Sequence, residues 1–104
     1  MIFHDRVMIQ TGGGRNADGD SVPLRDVGPF PANVTPIRST ETVTRAGVLV
    51  VALYRLHIGR NGGSVLTSTG TVKWRGMKFT VQGDVEPWIV NGRLHHYEAT
   101  LKKG

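Results

Sequence analysis

Thr71-Val72-Lys73-Trp74-Arg75-Gly76-Met77-Lys78-Phe79-Thr80-Val81-Gln82-Gly83 is the stretch that decides the fold. Apolar Val72 and Trp74, then Met77, Phe79 and Val81, alternate with Lys73, Lys78, Thr80 and Gln82. A period of two is the pattern of a strand with one buried face. Arg75-Gly76 falls where the chain reverses, and a tight hairpin needs a residue that accepts positive φ, which Gly76 does without a side-chain clash. Pro87-Trp88 follows, then Gly92-Arg93-Leu94-His95-His96-Tyr97-Glu98-Ala99-Thr100-Leu101. Residues 70–101 therefore read as a three-stranded meander. In its last strand Leu94, His96, Glu98 and Thr100 share one face, and His95, Tyr97, Ala99 and Leu101 the other.

Upstream, Val48 to Ile58 is the strongest single strand. Val48, Val50, Ala52, Tyr54, Leu56 and Ile58 are all apolar, while Arg55 and His57 point the other way. Its first half is apolar on both faces, which places it centrally or against a neighbouring subunit. Gly59 to Ser64 ends it, and Val65 to Thr69 leads into the meander. Ser39 to Gly47 is the only segment with helical potential. An incomplete capping box at Ser39 and the β-branched run from Thr40 to Thr44 limit it to a turn or two.

Asn33 to Ser39 alternates, with Pro36 marking an edge or a bulge. Pro23, Pro29 and Pro31 keep the segment before it extended and out of central ladders, as an edge or connector. Arg6 to Gln10 is a strand too short to stand alone. Residues 11–22 lack apolar periodicity and carry a turn signal at Asp18-Gly19, so they read as a flexible arm or subunit-contact loop. The expected fold class is all-β: one domain over residues 1–104, a small twisted β-barrel or sandwich of six to seven short strands with long Gly-rich loops.

Composition narrows the functional classes. A chain of 104 residues forms one domain with a thin margin of stability, and its 14 glycines raise the cost of ordering its loops. With no cysteine, disulfide staples and thiolate metal sites are excluded. Met1 to Arg6 has no basic start leading into an apolar core, so no signal peptide is expected. The longest apolar run, Val48 to Tyr54, is far below the roughly 20 residues of a membrane helix, and a soluble protein is expected. The formal charge of +5 attracts polyanions, although its cations are dispersed along the chain and only Lys102-Lys103 form a pair.

No chemical motif is complete. The Gly12-Gly13-Gly14 loop lacks the Lys-Ser/Thr and the helix of a phosphate cradle, and Asp18-Gly19-Asp20 lacks the later ligands of a calcium loop. His95 and His96 point to opposite faces of a strand and do not share one metal, while His96 and Glu98 have no visible third ligand. Ser64 and Ser68 have no base partner, and Asp84 with Glu86 reads as the polar shoulder of a turn. Trp74 and Phe79 fall on the buried face, leaving Trp88 as the exposed aromatic suited to a subunit interface. No catalytic residue, cofactor or metal is expected, and the chain does not read as an enzyme.

The segments W-R-G-x-K-F-T-V-x-G (Trp74 to Gly83), P-W (Pro87-Trp88) and G-R-L-H-H-Y-E-A-T-L (Gly92 to Leu101) resemble the C-terminal part of the small head-tail connector proteins of long-tailed phages. That family includes the head-to-tail stoppers, or head-completion proteins. The rest of the chain fits the same pattern: a short first strand, a Gly/Asp-rich loop ending in Val22-Pro23, then V-x-P-x-R-S-x-E (Val34 to Glu41) and a central strand. The resemblance implies a virion protein, assembled in the host cytoplasm, that forms a six- or twelve-fold ring coaxial with the portal. Its partners would be itself, a portal or adaptor protein above, a tail terminator or tail tube protein below, and packaged DNA touched non-specifically; no membrane is involved.

Residues 38–47 would then face the DNA channel, with Arg38, Arg45 and Arg60 as its cations. Gly12, Gly13, Gly14, Arg15, Trp88 and His95 would lie at subunit interfaces. A tail terminator and a small basic nucleic-acid-binding barrel are the alternatives.

Overall fold

The structure is a computed structural model that describes residues 2–103, the side chains at 38, 40–42, 44, 49 and 50 excepted. Six antiparallel strands close into a barrel in the order β1-β2-β3-β6-β5-β4. They are β1 (Asp5–Thr11), β2 (Arg25–Thr44), β3 (Gly47–Ile58), β4 (Thr71–Trp74), β5 (Met77–Val90) and β6 (Arg93–Lys103), with one helical turn, α1 (Arg60–Gly63), after β3. The expected meander is present as β4, β5 and β6. Its first turn is Arg75-Gly76, with φ of 51° and 76°, between the paired residues Trp74 and Met77. Two successive positive φ values give the hairpin turn whose twist matches that of its strands.

The alternation predicts the core correctly. Val7, Ile9, Leu56, Ile58, Val72, Phe79, Ala99 and Leu101 are all essentially inaccessible to solvent. Tyr54 meets Phe79 edge to face, with ring centroids 5.1 Å apart, and Trp74 lies half-buried beside them with the Arg75 guanidinium 5.0 Å from its ring centre. The N-terminal segment is tied to β2. Asn33 accepts from the His4 amide and donates to the Ile2 carbonyl, each at 2.8 Å, and Asp5 accepts from the Val34 amide at 2.9 Å.

Three local expectations need correction. Ser39 to Thr44 belongs to β2 and contains no helix: each residue from Ser39 to Thr44 pairs with one from Ala52 to Gly47. The β-branched run favours the extended chain, and a ready partner strand decides the outcome. The one helical turn lies instead in Arg60–Gly63. Pro29 and Pro31 stand inside β2 rather than in a connector, next to a register irregularity in its pairing with β1. Asp84 and Glu86 are not at a turn: they lie in β5, where pairing with β6 shifts between Gln82 and Glu86. Pro36 does mark a bulge, between Pro36 and Arg38.

Because β2, β3, β5 and β6 are longer than the barrel is tall, two hairpins project from it at opposite ends. The β2–β3 hairpin turns at Arg45-Ala46, and the β5–β6 hairpin turns at Asn91-Gly92. The molecule is accordingly broad and thin, 48 × 41 × 23 Å.

Helical Gly63 packs against the Tyr97 ring so closely that a Cβ would overlap it, and a Cβ on Gly62 would fall 2.6 Å from Ile58. Alanine ordinarily favours a helix over glycine by about 1 kcal/mol. Gly63→Ala is nonetheless expected to destabilise the protein by about 1–3 kcal/mol through overpacking, and Phe79→Ala by about 3–5 kcal/mol, both read by urea unfolding.

Candidate assembly surfaces and a buried ionic cluster

The three arginines expected near a DNA channel do not converge. Arg38 lies in β2 with its backbone opposite Leu53; its side chain is outside the described residues. Arg45 sits exposed at the tip of the β2–β3 hairpin, and Arg60 opens α1 beyond the far end of β3. A strand the length of β3 sets Arg45 and Arg60 on the order of 40 Å apart. Of the three, only Arg38 and Arg45 share one arm.

Gly12, Gly13, Gly14 and Arg15 lie in the β1–β2 loop, whose three glycines all take positive φ, from 70° to 87°. That run is open to glycine alone at little cost. It folds the loop into a hydrogen-bonded extension: Gly13 donates to Val22 and Val22 to Gly14, both at 3.0 Å, and Arg15 forms a bridge with Ser21. The Asn16 side chain accepts from the Asp18 and Asp20 amides at 3.0 Å, while Arg15 Nη1 donates to the Gly19 carbonyl at 2.7 Å.

Trp88 is 45% exposed and lies on the β5–β6 arm, stacked on His96 at 5.9 Å with an interplanar angle of 11°. His95 is also exposed on that arm. Apolar side chains stand open on both hairpins: Ile37, Val43 and Val48 on one, Trp88, Ile89 and Val90 on the other. Val48 shares the face of β3 that carries Ala52, Tyr54, Leu56 and Ile58. The face that lines the core thus continues past the rim of the barrel, where Val48 stands open to solvent.

The outer faces of β3, β5 and β6 hold a cluster that sequence reasoning only half assembled. Register places His57 and Glu86 on either side of Glu98, and Arg55 opposite Thr100. Arg55 reaches three groups: Glu98 Oε1 at 3.1 Å, Thr100 Oγ1 at 3.1 Å and Glu86 Oε2 at 3.4 Å. Glu98 Oε1 also lies 3.2 Å from His57 Nε2, and its Oε2 accepts from His96 Nε2 at 2.9 Å. With Nε2 donating, the Nδ1 of His96 accepts from Nδ1 of His95 at 2.7 Å. The two rings, expected on opposite faces, meet because His95 is an extra residue where the β5–β6 register shifts, which also takes Leu94 off the face of His96. His96 and Glu98 are buried on the outside of the barrel because Trp88, Arg55 and His57 cover them. That His96 and Glu98 share a strand face was visible in the alternation; that β3 brings Arg55 and His57 to them depends on register, which it does not show.

Burial alone raises the Glu98 carboxyl, but hydrogen bonds from His96 and Arg55 and the charges of His57 and Arg55 outweigh it and lower the carboxyl below its ordinary value. Both carboxylate oxygens are occupied, and the cluster ties three strands together. Among the described residues, no three His, Asp or Glu side chains are grouped to hold a metal. No family model matches this chain, and no curated protein matches it.

Since the folded Glu98 ionises at lower pH than the unfolded one, its stabilising effect is complete above the ordinary carboxylate value of 4.5 and is lost as pH falls through the lower folded value. Glu98→Gln should be less stable than wild type at pH 7, with the two converging in acid, as read by thermal melts across pH. Arg55→Met, which leaves Glu86 and Glu98 opposed, should cost about 1–3 kcal/mol at pH 7.

Proposed function

We propose that this chain is a structural subunit of a ring at the head-tail joint of a long-tailed phage, a head-to-tail stopper that links portal or adaptor to tail and retains packaged DNA. One observation carries the reading. The core-lining apolar face runs out onto a hairpin arm beyond the barrel, leaving Val43 and Val48 79% and 58% exposed. Exposed apolar surface of this kind marks contact with another protein. The β5–β6 arm also exposes apolar side chains, Trp88, Ile89 and Val90.

Arms at both ends of a closed barrel suit a subunit whose neighbours complete it, and heterologous contacts that close generate rings. The resemblance of Trp74–Gly83 and Gly92–Leu101 to connector proteins supplies the particular assembly. Arg45 at the tip of the β2–β3 arm, with Arg38 on the same arm, fits a channel-facing hairpin; Arg60, at the other end, belongs elsewhere. Retention of DNA would then be steric and electrostatic, with no bond made or broken.

Cryo-electron microscopy of particles assembled with the neighbouring structural proteins tests this. The expected result is a ring of this chain below the portal with the Arg45 hairpins pointing inward. Density one layer closer to the tail would make it a terminator instead, and absence from intact particles would overturn the assignment.

A further inference from the structure

Two oppositely charged features lie at the same end of the barrel. The first is a cleft of about 600 Å³ between α1 and the β5–β6 turn, lined by Arg60, Val90, Asn91, Arg93, Leu94 and His95. Neither Arg60 nor Arg93 has an ion-pair partner among the described residues. The second is the β1–β2 loop, whose tip carries Asp18 and Asp20. Both carboxylates are exposed and without ion pairs among the described residues, and their backbone is held by Asn16 and Arg15.

Topology fixes how these two features stand to each other. β1, β3 and β5 all run towards this end, so the β1–β2 loop, α1 and the β5–β6 turn lie at the same end of the barrel. In the closed order β1-β2-β3-β6-β5-β4, the β1–β2 pair and the β6–β5 pair are separated by β3 on one side and β4 on the other. The acidic tip and the basic cleft therefore lie on opposite flanks at the same end. Within one chain they do not meet. Between copies related by rotation about an axis parallel to the barrel they meet head to tail, which is a heterologous contact that closes.

We infer that the Asp18-Gly19-Asp20 tip of one copy seats in the Arg60, Arg93 and His95 cleft of the next, so that each copy offers one tip and one cleft. This rests on the ring reading above and names the contact that builds it. The ordered loop lowers the entropy lost on docking. Arg60, expected from sequence at a DNA channel, becomes a subunit contact, and the loop's glycines serve to aim its two carboxylates.

The chain has no cysteine, so Asp20→Cys and Arg93→Cys each introduce a single thiol. An equal mixture, with one variant isotopically labelled, is oxidised in a glutathione couple and its disulfides counted by mass spectrometry. Mixed disulfides are expected to exceed the random proportion several-fold. Adding Arg60→Glu to the Arg93→Cys chain should abolish the excess, and adding Asp18→Arg to the Asp20→Cys chain as well should restore it. Circular dichroism checks that every variant keeps its barrel.

Random pairing in all mixtures overturns the inference. So does random pairing combined with loss of duplex DNA binding in Arg60→Glu/Arg93→Glu, which assigns the cleft to a polyanion. Directed pairing in a chain absent from particles keeps the contact and removes the head-tail reading; a ring in particles with random pairing does the reverse.

Discussion

Everything else in the molecule depends on the pairing of β1 with β4. It is short, from Met8 opposite Lys73 to Gln10 opposite Thr71, yet it alone converts a six-stranded sheet into a barrel without edges. An open sheet would present two rows of unpaired amides and carbonyls, ready to pair with other chains. Val7, Ile9 and Val72 stand on the inner side of this seam, and none is more than 1% exposed. The Lys73–Asp26 pair at 3.0 Å lies outside it, linking β4 across β1 to β2. Closure thus rests on a few fully desolvated aliphatic side chains, with an exposed ion pair adding little.

Outside the barrel the physics changes. Within it, each apolar side chain on the inner face meets others across the interior. On the β2–β3 arm Val43 and Val48 pair on the side that lines the core lower down, and there they are surface. The ionic cluster around Glu98 answers a different need. It lies where β5 and β6 leave the barrel, on the side facing away from the core, and it joins β3, β5 and β6 by charge-assisted hydrogen bonds. Directional bonds hold strands there because apolar burial is not available.

The meander, the core positions of β3 and the Arg75-Gly76 turn were legible in the sequence because they follow from local periodicity and from one residue's freedom at positive φ. The bulge at Pro36 was legible because proline brings no amide to a ladder. Ser39 to Thr44 was misread because a weak helix signal and a β-branched run compete locally, and the tie is broken by Gly47 to Ala52, which lies across a turn. Half of the Glu98 cluster could be seen as His96 and Glu98 on one strand face. The rest, Arg55, His57 and Glu86, required knowing that β6 sits between β3 and β5. Arg38, Arg45 and Arg60 were grouped as cations of an expected channel, and the fold separates the last from the others.

Ile37, the extra residue of the β2 bulge, sets the parity of everything beyond it. Thr35 stands opposite Arg55 and Pro36 opposite Tyr54, but the next pair is Arg38 with Leu53. From there each residue of β2 lies on the face it would otherwise avoid, and Val43 comes to pair with Val48 on the core-lining side. A β2 that kept Ile37 in strict alternation would set it opposite Leu53 and reverse every side chain that follows, whereas deleting Ile37 would remove the bulge and leave Arg38 opposite Leu53 as before. Which side chains the arm presents is therefore set at one hinge, by whether that residue bulges out of the ladder, without renegotiating the core that carries the arm.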